Sequence, residues 1–386
     1  MAQSLLIRAA RPVGFPDHAD DRPIDLRIED GRVTAAGQGI DAPTGAEVID
    51  ARGAWISPGW ADLHAHVYHG GTDISIRPSQ GGLAHGVTTI VDAGSSGEGN
   101  FVGFREFIAE PAAERVVAFL NIGSIGLVAC NRVSELIDQR SIDITRTLAV
   151  IEANRDIIRG IKCRACSTVT GAWGITPVKI AKKVAKIAKL PLMVHVGEPP
   201  PLLEEVLEIL TPGDVLTHCF HGKPGGNILE DEELFGIARQ VAAAGVRLDV
   251  GHGGASFSFK VARAGIERGL FPFSISTDLH LRSIDGPVWD MATTMSKLLA
   301  VGMPFAEVVA AASTRPRSVI GLPSEGRLAA GAEADFTIFE LEDASVTLPD
   351  SSGDSATLDR LFAPRHAILG TRSVKAARLF DPTVHG

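Results

Sequence analysis

The sequence predicts an α/β protein: a (β/α)8 TIM barrel with a small β-sandwich domain built from both chain termini. Three observations predict it. Eight short apolar runs recur between about Gly59 and Gly321, each followed by a helical pattern. Two β-rich ends enclose that middle. The length, 386 residues, exceeds one ordinary domain but is little more than one large barrel with an attachment. The implied boundaries are residues 1–57 and 322–386 for the sheet domain and 58–321 for the barrel.

The elements follow in order. Ser4 to Arg8 is a short apolar run, and Ile24, Leu26 and Ile28 alternate before an Asp30-Gly31 turn, a hairpin pattern. AEVIDARGAWISPG continues in the same style and stops at Pro58-Gly59. The barrel runs are WADLHAH, GVTTIVDAG, VVAFLNIGS, GIKCRAC, PLMVHVG, DVLTHCF, VRLDVGHGG and FSISTDLH. Short β-branched runs alternating with helices indicate parallel βα units. Eight units in about 260 residues match a barrel in size. A doubly wound open sheet is the competing architecture, and its glycine fingerprint after the first strand is missing. Between Thr176 and Leu190, Val178, Val184, Ile187 and Leu190 keep helical spacing. Lys179, Lys182, Lys183, Lys186 and Lys189 read as that helix's solvated face. Near the C-terminal end, ADFTIFELED and HAILGTRSVKAARLF are strand-like and are separated by the polar loop Asp350 to Ser355.

Composition narrows the function. With 45% hydrophobic and 22% charged residues and a mean hydropathy of +0.15, the chain can bury a large core and is not disordered. Thirty-seven Lys+Arg against 46 Asp+Glu leave a net charge of −9, which disfavours binding through nucleic-acid phosphates. No stretch reaches the roughly 20 apolar residues of a membrane span. The apolar start is too short for a secretory signal and is broken by Arg8 and Arg11. Cys130, Cys163, Cys166 and Cys219 are too few for a disulfide framework. In-strand spacing puts Cys163 and Cys166 on opposite faces, which sets aside a redox pair. The expectation is a soluble cytoplasmic protein acting on a small molecule. No nucleic acid or membrane is implied, and further copies of the chain are the one protein partner considered.

Five of the eight runs carry a metal-type side chain at or near the strand's C-terminal end. The first has His64 and His66, which at i and i+2 point to one face and can meet one cation. The fourth has Lys162, the fifth His195, the sixth His218 and the eighth Asp278. The gaps from His66 to Lys162 (96), to His195 (33), to His218 (23) and to Asp278 (60) are each whole numbers of βα repeats. All six side chains therefore converge on one end of the barrel, where barrel enzymes keep their active sites. Taken singly, each has a plainer role as a packed histidine or a helix cap. Six in phase point to a metal site.

These residues resemble those of the amidohydrolase superfamily of metal-dependent hydrolases. The matching text is GWADLHAHVYHGG, GIKCRAC, PLMVHVGE, VLTHCFHG, FSISTDLH and the tail SEGRLAAGAEADFTIFE, so the resemblance spans nearly the whole chain. It implies a binuclear site, usually zinc. His64, His66 and Asp278 hold the more buried ion and His195 and His218 the outer one. Lys162, carboxylated by CO2, bridges the two. The chemistry of lysine agrees, since an ammonium has no lone pair for a cation and a carbamate supplies two anionic oxygens. The implied reaction is hydrolysis of an amide or ester by a hydroxide shared between the metals, with Asp278 as the catalytic proton carrier and no organic cofactor.

The substrate is less legible. Dihydroorotases, which the chain resembles, carry HxHxR, whereas here Tyr68 stands in the arginine's place. The pattern looks closer to a deacetylase branch often labelled dihydroorotase or adenine deaminase. That implies an acetyl ester of an α-hydroxy acid such as mandelate, or an N-acetyl amino acid. Candidate substrate contacts are Tyr68 (carbonyl oxygen), Arg164 (carboxylate) and His252 in the GHGGASFS loop (anion), with His280 and Arg282 behind them. Cyclic-amide hydrolysis is one alternative. Another is a mononuclear deaminase using Glu198 of His195-Val-Gly-Glu198 as proton shuttle, which a bridging Lys162 argues against. A non-catalytic barrel scaffold is the third, but such a protein need not keep all six donors.

Overall fold

The structure, a computed structural model, describes residues 4–15, 22–130, 132–323 and 328–385. Residues 324–327 of the SEGR tail therefore lie outside the described residues. The N-terminal strands are β1 (Ser4–Pro12), β2 (Ile24–Glu29), β3 (Arg32–Gly37), β4 (Glu47–Asp50) and β5 (Trp55–Pro58). Asp30 (φ 48°) and Gly31 (φ 75°) make the turn between β2 and β3, both left-handed as a two-residue hairpin turn requires.

The barrel strands are β6 (Trp60–Ala65), β7 (Val87–Gly97), β8 (Arg115–Asn121), β9 (Ile158–Ala165), β10 (Leu192–Val196), β11 (Val215–Thr217) and β12 (Arg247–Asp249). They pair in sequence order and all in parallel. The eighth run forms no regular strand. It closes the ring through isolated bridges, Ser274 to Asp249 and Leu279 to Ala65. Backbone bonds such as Val250 N–H to the Ser274 carbonyl (3.0 Å) and Asp278 N–H to the His64 carbonyl (2.6 Å) hold it on both sides, and two buried carboxylates add to them. Asp249 accepts from Ser274 Oγ (2.6 Å) and Ser276 Oγ (2.7 Å), while Asp62 accepts from the Thr277 N–H (3.0 Å) and its hydroxyl.

Helices return the chain between strands. After β7 comes α1 (Phe101–Phe104), after β8 α2 (Ile144–Ala153), and after β9 α3 (Ser167–Thr170) and α4 (Thr176–Ala188). Then follow α5 (Leu203–Ile209), α6 (Glu232–Ala243), α7 (Phe259–Glu267), α8 (Met291–Ala300), α9 (Phe305–Ala312) and α10 (Thr314–Val319). Asp143, Asp231, Ser258 and Asp290 cap the first turns of α2, α6, α7 and α8 by accepting backbone N–H bonds, which satisfies donors the helix leaves free. Helix α4 corrects one expectation: Lys182 is not on the solvated face but buried and paired with Asp214. None of the described helices is long and apolar enough to cross a membrane.

The chain ends in β13 (Asp335–Pro349), β14 (Ser355–Leu369), β15 (Arg372–Lys375) and a short α11 (Pro382–His385). Strands from both ends share one sheet, in the order β15-β14-β13-β5-β1-β2-β3, with β4 on β1. β13 and β14 reach further than the sequence pattern suggests, fifteen residues each. Their turn, the loop read as polar, docks on the barrel: Asp350 accepts the Phe259 N–H (2.9 Å) and the Ser351 N–H donates to the Phe257 carbonyl (3.0 Å).

Candidate metal centre

Every expected ligand sits at the C-terminal rim. His64, Lys162 and His195 lie within β6, β9 and β10; His66 and His218 lie just past the ends of β6 and β11, and Asp278 lies in the closing run beside the Leu279 bridge. All are buried or nearly so. Lys162 Nζ is 3.0 Å from His64 Nε2, His218 Nε2 is 2.8 Å from His195 Nδ1, and Asp278 Oδ1 is 3.1 Å from His66 Nε2 and 3.4 Å from His64 Nε2. Ligand atoms of His64, His218 and Asp278 all fall within 4.8 Å of one another.

Partners behind the ligands fix which nitrogen faces inward. Thr217 Oγ1 donates to Asp249 Oδ2 (2.7 Å), so its oxygen accepts from His64 Nδ1–H (2.8 Å), and Nε2 is left with its lone pair. The Gly251 carbonyl can only accept, so His218 Nδ1 donates to it (2.6 Å) and again Nε2 faces the centre. Ser95 Oγ lies 2.9 Å from His66 Nδ1. His218 (φ 72°) and Asp278 (φ 48°) occupy the left-handed region, a strain that side chains bear where their direction matters. Gly94, itself at φ 88°, has no side chain because a Cβ there would sit 2.8 Å from Lys162 Cβ.

The electrostatics suit a cation. Burial holds His64 and His195 well below the usual imidazole range and pushes His218 to about 3, so all three are neutral donors. Burial also lowers Lys162 to about 8. It would raise Asp278, but His64, His66 and His280 win and hold it well below the carboxylate range. Asp278 Oδ1 is buried, with His66 Nε2 at 3.1 Å and His64 Nε2 at 3.4 Å, and makes no well-formed hydrogen bond. A buried anionic oxygen beside the lone pair of His64 Nε2 is short of a positive partner, and a divalent cation fits that need.

A cavity of about 450 Å³ opens from this centre, walled by His66, Lys162, His195, Asp278, Lys223 and Arg282, among others. The three expected substrate contacts are placed as follows. Arg164 also borders the cavity, but its guanidinium is forked onto buried Glu135 at 2.7 Å twice and reaches Cys130 Sγ. Tyr68 packs edge-on against Phe104, and its hydroxyl donates to the Asn100 carbonyl (2.9 Å). His252 stacks on Phe257 and meets Lys297 rather than the cavity. Glu198 pairs with Lys223 at 3.1 Å. Arg282 lines the cavity, and no carboxylate pairs with it among the described residues. All four cysteines are free thiols. Sequence reasoning missed Asp62, Ser95, Glu135, Thr217 and Asp249. Their one signal is being polar within the barrel strands, at their ends or in the loops that follow, which hydroxyls and carboxylates often are without such a role.

The amidohydrolase family profile matches residues 55–363. A protein named deacetylase from Brucella anthropi is 59% identical, over 98% of this chain and 94% of its own. A solved structure described as a dihydroorotase superposes with a TM-score of 0.95 at 57% identity, covering 98% of this chain and 99% of that one. Another, described as an adenine deaminase, gives 0.88 at 33% identity over 97% and 100%. With a barrel, a His/His/Asp cluster at its rim and this likeness over nearly its whole length, the chain belongs to the amidohydrolase family and is a metal-dependent hydrolase.

Proposed function

We propose that the enzyme deacetylates a small acetylated carboxylate, an acetyl ester of an α-hydroxy acid such as (R)-mandelate or an N-acetyl amino acid. In this reading His64, His66 and Asp278 would hold one divalent ion, zinc by family resemblance, His195 and His218 would hold a second, and Lys162 as a carbamate would supply anionic oxygens to both. The lowered pKa of Lys162 supports the last point, since the unprotonated amine is the form that takes up CO2. When bound, the ions supply an acidified water and a Lewis acid for the acetyl carbonyl. Asp278 is a carboxylate at neutral pH, and its carboxylate takes the nucleophile's proton and hands it to the leaving oxygen or nitrogen.

The observation that carries the substrate reading is Arg282, a guanidinium on the wall of the cavity that contains Asp278. Arg164 is engaged by Glu135 and Lys223 by Glu198, so Arg282 is the cation placed to grip a substrate carboxylate. The relative named deacetylase supports the acetyl group. The test is a hydrolysis screen of acetylated α-hydroxy and amino acids of both hands, with dihydroorotate and adenine as controls. Arg282→Met should raise KM at least tenfold for carboxylate substrates and leave neutral acetyl esters unchanged. Turnover of dihydroorotate would favour the ring-opening reading instead. Deamination with one bound metal per chain would favour Glu198 as proton shuttle.

A further inference from the structure

His252 and the glycines around it form the β12–α7 turn, and this turn backs two of the ligands at once. The Gly251 carbonyl holds His218 Nδ1, and Gly253 lies so close to Asp278 that a Cβ there would run into its carboxylate. Both glycines are left-handed, at φ 49° and φ 54°. Two backbone bonds tie the turn to the closing run, His252 N–H to the Ser276 carbonyl (3.1 Å) and Gly253 N–H to the Thr277 carbonyl (2.9 Å). Glycine takes this conformation without strain but loses the most backbone freedom on ordering, so the turn depends for support on the hydrogen bonds around it.

That support comes from a buried lysine. Lys297, on α8, is fully buried. Its Nζ is 2.6 Å from the Pro287 carbonyl, 2.7 Å from the Pro349 carbonyl and 3.1 Å from His252 Nε2. Hydrogen-bond bookkeeping fixes the arrangement. The Gly253 carbonyl, 3.0 Å from His252 Nδ1, can only accept, so Nδ1 carries the proton. Burial and Lys297 keep this imidazole neutral, so Nε2 is an acceptor. Burial lowers Lys297 to about 7, and in its protonated form Nζ donates all three hydrogens, one to His252 and one to each carbonyl. The tip of the β13–β14 hairpin adds a second strut: Ser351 Oγ donates to the Gly253 carbonyl at 2.7 Å.

We propose that Lys297 and Ser351 are positioning residues that hold the 251–253 turn, and through it His218 and Asp278, in register for metal binding and proton transfer. Neither side chain is placed to touch substrate. The terminal hairpin thereby becomes part of the active-site scaffold. His252, expected from sequence to bind an anion, serves as the link between lysine and turn.

The test uses the zinc-loaded full chain with Lys297→Met, Ser351→Ala and the double variant. Two readouts are taken: kcat and KM on the best substrate, and hydrogen exchange of peptides covering residues 250–256, which needs no substrate at all. Exchange in that segment should speed up at least tenfold while β1–β5 peptides are unchanged. kcat should fall roughly 10- to 100-fold with KM within twofold, as when groups behind metal ligands are removed. The double variant should lose less than the product of the single losses, because both changes release one turn. Native exchange and native kcat in a folded variant, with only a lower thermal midpoint, overturn the proposal. Should Lys297→Met fail to fold, Ser351→Ala, which deletes a single hydroxyl, carries the same two outcomes. Should no substrate be found, the exchange measurement still decides this proposal separately from the deacetylase reading.

Discussion

Replacing Arg164 by methionine should damage the fold before it damages substrate binding. The guanidinium makes two 2.7 Å bonds to Glu135, with side-chain exposures of 8% and 1%. Losing one partner of such a pair strands the other charge, at a cost of about 3–5 kcal/mol. At about 1.4 kcal/mol per decade, the folding equilibrium shifts by roughly 10²- to 10³-fold or more. Glu135→Leu alone should cost about the same. The double variant Arg164→Met/Glu135→Leu should recover much of the loss, because neither charge is then stranded, giving a coupling energy of at least about 2 kcal/mol. Denaturant unfolding of the four metal-loaded proteins measures this directly, with KM determined on the same samples. If Arg164→Met keeps wild-type stability while KM rises tenfold or more, the residue grips substrate and the reasoning fails.

Other consequences can be checked with simpler tools. Asp249→Asn should destabilise the protein by about 3 kcal/mol, since one carboxylate accepts from Thr217, Ser274 and Ser276; an unchanged denaturation midpoint would show that barrel closure does not depend on it. Lys162→Met should lower bound zinc and reduce turnover by at least about 10³-fold, and elemental analysis retaining full metal would remove the lysine from the centre. His221 is buried, and burial with help from Lys223 pushes it to about 4 from the usual 6.5. Between those values the unfolded chain takes up a proton that the fold refuses, so stability falls as pH drops through the window, by up to about 1.4 kcal/mol per pH unit. His221→Asn keeps an acceptor for the Lys223 N–H and should flatten that slope; equal slopes for the two proteins would contradict the assignment.

Much of the fold was legible because its signals are local. The β2–β3 turn follows from Asp30-Gly31, and seven barrel strands follow from short apolar runs. The eighth is different: FSISTDLH reads as a strand but is held by Asp62 and Asp249 from distant positions, and no window of sequence contains both partners. The length of β13 and β14 was hidden for a similar reason. Charged residues between Leu358 and Phe362 break the apolar pattern, although Leu358, Leu361 and Phe362 are buried. Lys182 looked solvated because periodicity assigns a face and cannot see Asp214 waiting beneath it.

The sequence by itself determined which donors can reach the rim, because βα repeats fix phase and each strand end delivers its next side chain to the same side. Only the tertiary structure decided what each polar group around them does. Arg164 met a carboxylate of its own protein, His252 met a buried lysine, and Arg282 kept an open cavity in front of it. A charged side chain's role is set by which opposite charge lies within a few ångströms, and in this fold those partners come from segments tens of residues away.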